Sequence, residues 1–182
     1  VYLDVIFAGF GGQGVMFIGN LWAHAAMRED HYVTYLPVYG VEMRGGTANC
    51  TVVISDKPVG SPSTNNPTAA VVMNKPSLTK FGPRVKKDGY LLVNASLIPI
   101  DEVQVEGPKI LMVPSTELAA EVGNDRLANM ILLGALAGQT QAVALETLLE
   151  ALRETSGSAK EELVKVNLAA IERGYAFAQN GH

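Results

Sequence analysis

Cysteine is almost missing from this sequence: Cys50 is the only one in 182 residues. One thiol excludes an internal disulfide framework, and it cannot hold an iron–sulfur cluster, which normally takes four thiolates. A reducing compartment, the cytoplasm, is therefore expected. Charge is scarce too, at 18% of residues, and sums to −4. Such a balance provides no basic face for nucleic acid. His24, His31 and His182 are scattered without metal-ligand spacing. No serine–histidine–aspartate order and no carboxylate pair can be defended. Long hydrophobic runs are also lacking. The longest, residues 130–137, falls well short of the roughly 20 apolar residues that a membrane span needs. Asp4 interrupts the opening stretch and no basic residues precede it, so no secretory leader is expected. What the chain does have is apolar character, at 48% of residues. That is ample for one core, and it leaves surface for a partner to cover, or for self-association when no partner is present.

Along the chain, short β-rich runs alternate with helical periods. Residues 2–8 predict a first strand, and Val15, Ile18, Trp22 and Ala25 predict a helix over about 12–28. Strands follow at 32–38, 47–55, 69–73, 89–94 and 109–113, with a short helix starting at Lys75-Pro-Ser77. In 47–55, Ala48, Cys50, Val52 and Ile54 share one face and Asn49, Thr51 and Ser55 the other, the pattern of a half-buried strand. Beyond Ser115, which is placed as a helix cap, helices are predicted over 115–122, 126–138, 141–154 and 159–179. The fold expected is a single α/β domain over 1–182: an open, Rossmann-like, mixed or mostly parallel sheet flanked by helices, with a helical C-terminal part. Residues 130–137 are apolar nearly all round, which fits either a core helix or one buried against another subunit.

Two loops carry the chemistry. Gly9-Phe-Gly11-Gly12-Gln13-Gly14 matches G-x-G-x-x-G and sits between the first strand and the first helix. Glycines let backbone N–H groups approach an anion at a helix N-terminus, so a phosphate or pyrophosphate is the natural ligand. They also let a helix pack closely on a sheet, and the motif alone does not choose between the two. A dinucleotide site wants an acidic residue about 20 positions on. Residues 34–39 supply none, and Glu42 is the first acid to follow. The second loop, Tyr39-Gly-Val-Glu42-Met-Arg44-Gly45-Gly46, is expected to face the first beyond the strand ends. There Arg44 presents a planar fork to a phosphate or carboxylate, or else pairs with Glu42. Asn49 is the next polar candidate. Cys50, on the apolar face, reads as a buried thiol.

The run from Phe7 to Ser55, above all Tyr39-Gly-Val-Glu-Met-Arg-Gly-Gly-Thr-Ala-Asn-Cys50, resembles the gamma subunit of the 2-oxoacid:ferredoxin oxidoreductases. The likeness continues through Met73-Asn-Lys-Pro-Ser-Leu78, residues 89–97 and residues 123–134, and so covers nearly the whole chain. Met43 and Gly45-Gly46 resemble the 2-oxoglutarate or branched-chain type more than the pyruvate type. Val41 stands where the family usually has proline. The resemblance implies oxidation of a 2-oxoacid with coenzyme A to acyl-CoA and carbon dioxide, with ferredoxin reduced. It implies that thiamine diphosphate, magnesium and iron–sulfur clusters sit in alpha, beta and ferredoxin-like partner subunits. It further implies that coenzyme A, a shared substrate reaching the thiamine after decarboxylation, meets this chain at Gly9, Gly11, Gly12, Gln13, Gly14, Glu42, Arg44, Gly45 and Asn49. A purely structural subunit and a free-standing NAD-type enzyme are the competing readings.

Overall fold

Side-chain alternation at period two sets the two faces of the sheet. In the first strand, β1 (Tyr2–Phe10), Leu3, Val5 and Phe7 enter one core while Ile6 and Ala8 enter another. The computed structural model describes residues 1–39 and 47–180. On one side of β1, β4 (Ala69–Val72), β5 (Tyr90–Asn94) and β6 (Lys109–Val113) pair in parallel in that order. On its other side lies β3 (Thr47–Ser55), antiparallel, and outside that β2 (Tyr32–Tyr39), antiparallel to β3. The six strands run β2-β3-β1-β4-β5-β6. This is the open mixed sheet with flanking helices that the strand–helix alternation predicts.

Two faces carry different helices. Helix α1 (Val15–Arg28) and the C-terminal helices cover the face of Val5, Phe7 and Val71. The short α2 (Lys75–Phe81) covers the opposite face, where Leu78 and Phe81 meet Ile6, Ala70 and Leu91. The helix after β1 and the helix after β4 thus leave neighbouring strands in opposite directions. That divergence opens a crevice beyond the carboxyl ends of the strands, the position where open α/β sheets bind ligands.

β2 is an edge strand, which is why Pro37 is tolerated within it: its missing N–H costs no ladder bond on the open side. β3 departs from the half-buried expectation. Thr51 and Ser55 are only 6% and 8% exposed and Val53 is fully buried, because β3 is an interior strand of the sheet. Helix α1 begins at Val15 rather than near Gly12, since Gly12 and Gly14 both take left-handed backbone that a helix cannot include.

Ser115 is not a cap. It lies inside α3 (Ser115–Glu121), and its hydroxyl donates to Asn94 Oδ1 at 2.6 Å. The capping oxygen comes instead from Ser96, whose Oγ accepts from Thr116 N at 2.9 Å. A 3₁₀ turn at Asp125–Leu127 leads into α4 (Ala128–Thr140). α5 (Leu145–Thr155) starts four residues later than its predicted start at Gln141, which ends α4 in the left-handed region. From Met130 to Gly138 α4 is buried all round, and the last helix, α6 (Glu161–Gln179), lies directly on it. A Cβ on Gly134 would stand 2.0 Å from the Ile171 carbonyl oxygen, and one on Gly174 1.9 Å from that of Ile131. The apolar helix is therefore covered by its own chain.

One buried carboxylate fastens the start of the sheet. Asp4 is 2% exposed, and its Oδ1 accepts from Thr68 N at 2.7 Å and from the Thr68 hydroxyl. Burial pushes this carboxyl up, but the Thr68 hydrogen bonds outweigh it and hold Asp4 below its ordinary value of 3.8. A group depressed on folding stabilises above its unfolded pKa, and that contribution is lost as pH falls through the folded one. Asp4→Ala should cost about 2 kcal/mol at neutral pH, where a bond to a charged acceptor is lost. In urea titrations from pH 7 down to pH 2, the gap between wild type and variant should close below about pH 4. A gap that stays constant across that range would refute the charged role.

Candidate functional site

The glycine loop closes on its own glutamine. Gln13 Oε1 accepts from Phe10 N at 2.7 Å, and Gln13 N donates to Phe10 O at 3.1 Å. The glycines then divide by task. A Cβ on Gly9 would lie 2.6 Å from Gln13 Oε1 and 3.1 Å from Met73 Cβ, so Gly9 serves close packing. A Cβ on Gly14 would lie 2.3 Å from Asn129 Nδ2, which donates to the Gly14 carbonyl at 3.3 Å. Gly12 is different. With φ at +93°, its Cβ would meet nothing within 4 Å. It is the point where backbone faces open space at the mouth of the crevice.

On one side of Gly12 is a cavity of about 280 Å³, with Gln13, Asn94, Thr116, Arg126 and Asn129 among its lining residues. A second cavity, also about 280 Å³, opens on the other side against Gly11, Val15, Met16, Tyr39 and Ala48. The walls of the first are fixed from behind by two buried amides. Asn94, at the end of β5, donates to Met73 O at 3.2 Å and accepts from Ser96 N at 3.2 Å. Asn74, just beyond β4, caps α2 through Ser77 N at 2.9 Å and donates to Gln13 Oε1 at 3.4 Å.

α1 opens on this crevice without a side-chain cap and with no acidic residue in its first turn, so its positive end is uncompensated. Among the described residues, neither cavity is lined by aspartate or glutamate. The nearby Glu117 lies outside them, where a hydrogen bond from Ser96 lowers its pKa. The arrangement suits an anion approaching backbone N–H groups.

The structure brings Gly9, Gly11, Gly12, Gln13 and Gly14 together as the sequence predicts, although only Gly11, Gly12, Gln13 and Gly14 line the cavities. Asn49 pairs across from Ala8 and Val38, is partly buried, and lines neither cavity. Glu42, Arg44 and Gly45 lie outside the described residues. The flanks of that segment are in place at this end of the sheet: Tyr39 pairs with Ala48, and Thr47 with Phe10. Cys50 is a packed thiol beneath Gly19. It donates to Val15 O at 3.6 Å, and burial pushes its pKa up to about 12. Arg126, Asn129, Thr116 and Asn94 escape sequence reasoning. Their one signal is position: Asn94 ends a predicted strand, and Thr116, Arg126 and Asn129 lie in the first turns of predicted helices.

A model of the pyruvate ferredoxin/flavodoxin oxidoreductase family matches residues 4–177. The chain belongs to this family. Subunit VorA of ketoisovalerate oxidoreductase from Methanothermobacter marburgensis is 38% identical over 94% of this chain, but the match spans only 36% of that relative. Subunit KorC of 2-oxoglutarate synthase from Methanocaldococcus jannaschii is 30% identical over 97% of this chain and 94% of its own length. Among solved structures, the keto/oxoacid ferredoxin oxidoreductase gamma subunit from Geobacter sulfurreducens superposes with a TM-score of 0.83 at 25% identity. It covers 98% of this chain and 99% of its own. The family resemblance read from the two loops is thus borne out, as is the fold. No helix among the described residues is long and apolar enough to cross a membrane, and no group of three metal-ligating side chains occurs among them.

Proposed function

We propose that this chain is the gamma component of a 2-oxoacid:ferredoxin oxidoreductase of the 2-oxoglutarate or branched-chain type, and that it positions coenzyme A. Alpha, beta and ferredoxin-like partners supply thiamine diphosphate, magnesium and iron–sulfur clusters, in the cytoplasm. Family membership supports the complex. The single observation that carries the coenzyme A role is Gly12, whose backbone faces open space at an uncapped helix end in a crevice where no carboxylate among the described residues lines the wall. Holding the phosphates there fixes the thiol in reach of a reaction centre in another subunit. That is positioning rather than bond-making.

The test is kinetic. Gly12→Val puts a branched side chain into the space where phosphate approaches, at a backbone angle that costs roughly 1–3 kcal/mol of local strain. In the reconstituted complex, the Michaelis constant for coenzyme A should rise about tenfold or more, equivalent to about 1.4 kcal/mol of lost binding. The constant for the 2-oxoacid should hold steady, because it reacts before the thiol arrives. Unchanged coenzyme A kinetics in an intact complex would leave the purely structural reading of the subunit.

A further inference from the structure

We propose that Arg126 is the residue that grips a phosphate group of the thiol substrate; this assignment rests on the coenzyme A reading above. Arg126 occupies the 3₁₀ turn Asp125–Leu127, between the ligand crevice and the first turn of α4. The turn is held rigidly. Asn124 Oδ1 accepts from Arg126 N at 3.0 Å, and its carbonyl accepts from Leu127 N at 3.1 Å. One turn further on, Asn129 reaches across to the Gly14 carbonyl, so the start of α4 is tied to the glycine loop itself. Arg126 and Gly12 therefore line one cavity from two anchored elements.

Its guanidinium is uncommitted. Arg28 is taken up by Glu150 and Glu154, Arg84 by the carbonyls of Asn65 and Thr64, and Arg173 by Glu121. Among the described residues, no carboxylate or carbonyl engages the Arg126 side chain. The cavity wall it shares with Asn94, Thr116 and Asn129 is neutral and polar, and no described residue lining it carries a negative charge to spend the guanidinium on. A planar fork with parallel N–H donors matches two oxygens of a phosphate, which a lone ammonium does not. α4, like α1, opens here with no side-chain cap and no acid in its first turn, and both helix ends add to the same field. The volume, about 280 Å³, lies just below the range of pockets that enclose a whole drug-sized ligand. It fits a phosphate and its immediate linkage, with the rest of the molecule extending outward.

The experiment compares three thiols in the reconstituted complex: coenzyme A, 3′-dephospho-coenzyme A and pantetheine, which has no phosphate. Arg126→Gln should lower kcat/KM for coenzyme A tenfold or more through KM, with kcat at saturation unchanged, and should leave pantetheine unaffected. Arg126→Lys should recover part of the loss, since charge returns without the fork. A defect that persists with the dephospho compound assigns the diphosphate; one that disappears assigns the 3′-phosphate. An equal effect on all three thiols, or none on any, overturns the assignment. If Gly12→Val raises the coenzyme A constant while Arg126→Gln does not, only the role of Arg126 falls. If neither moves it, the coenzyme A reading falls as well. Should Arg126→Gln fail to assemble, Arg126→Lys alone still separates the phosphorylated thiols from pantetheine.

Discussion

Replacing Gly174 with alanine is expected to remove about 3 kcal/mol or more of stability, a large part of the total for a domain of this size. One methyl group normally favours a helix, by up to about 1 kcal/mol over glycine. Here it meets the Ile131 carbonyl oxygen at 1.9 Å and the Ala135 backbone nitrogen at 3.0 Å, and neither is a flexible side chain able to swing away. α6 must lift off α4, and the contact between two otherwise buried surfaces opens along its length. Urea unfolding followed by circular dichroism should show a markedly lower midpoint. Gly60→Ala is the control, because a Cβ there meets nothing within 4 Å, and it should stay within about 0.5 kcal/mol of wild type. A Gly174→Ala protein as stable as wild type would mean that the two helices do not approach as described.

The isolated chain should oxidise no 2-oxoacid at all, and full turnover should return only when partner subunits are added. Among the described residues its crevice is lined by amides, the hydroxyls of Thr116 and Tyr39, an arginine and apolar groups, with no histidine, carboxylate, lysine or thiol to take or give a proton. Arginine stays protonated and cannot serve as a base. The one thiol is pushed up to about 12, so thiolate is negligible at neutral pH. Steady-state assays of the purified chain, with ferredoxin or a dye as acceptor, check this directly. Turnover by the chain freed of every partner would sink it.

Period-two patterns made the strands readable. Ala48, Cys50, Val52 and Ile54 sit on one face as predicted, and the bounds of β3 and β6 agree with the residues chosen from sequence. The sequence did not show that β3 lies between β1 and β2, because order in a sheet depends on distant pairing; hence the unexpected burial of Thr51 and Val53. The start of α1 was misplaced because glycine is compatible with both helix and left-handed turn, and only the fold chooses between them. Among site residues the glycine loop was legible as a contiguous motif. Arg126 was not, because its meaning comes from Asn129 reaching Gly14, a contact across 115 positions of chain. Beside Asp125 in the sequence it looks like ordinary surface charge.

The interlock of α4 with α6 also constrains the order of events during synthesis. β1 through β5 and α4 emerge from the ribosome before residues 161–179 exist. Until then, the side of α4 that receives Ile171 and Gly174 has nothing to cover it, and Met130 to Gly138 offers water an almost wholly apolar surface. Exposed stretches of this kind are what aggregate or recruit chaperones. The nascent chain therefore carries this hazard from the synthesis of α4 until α6 docks.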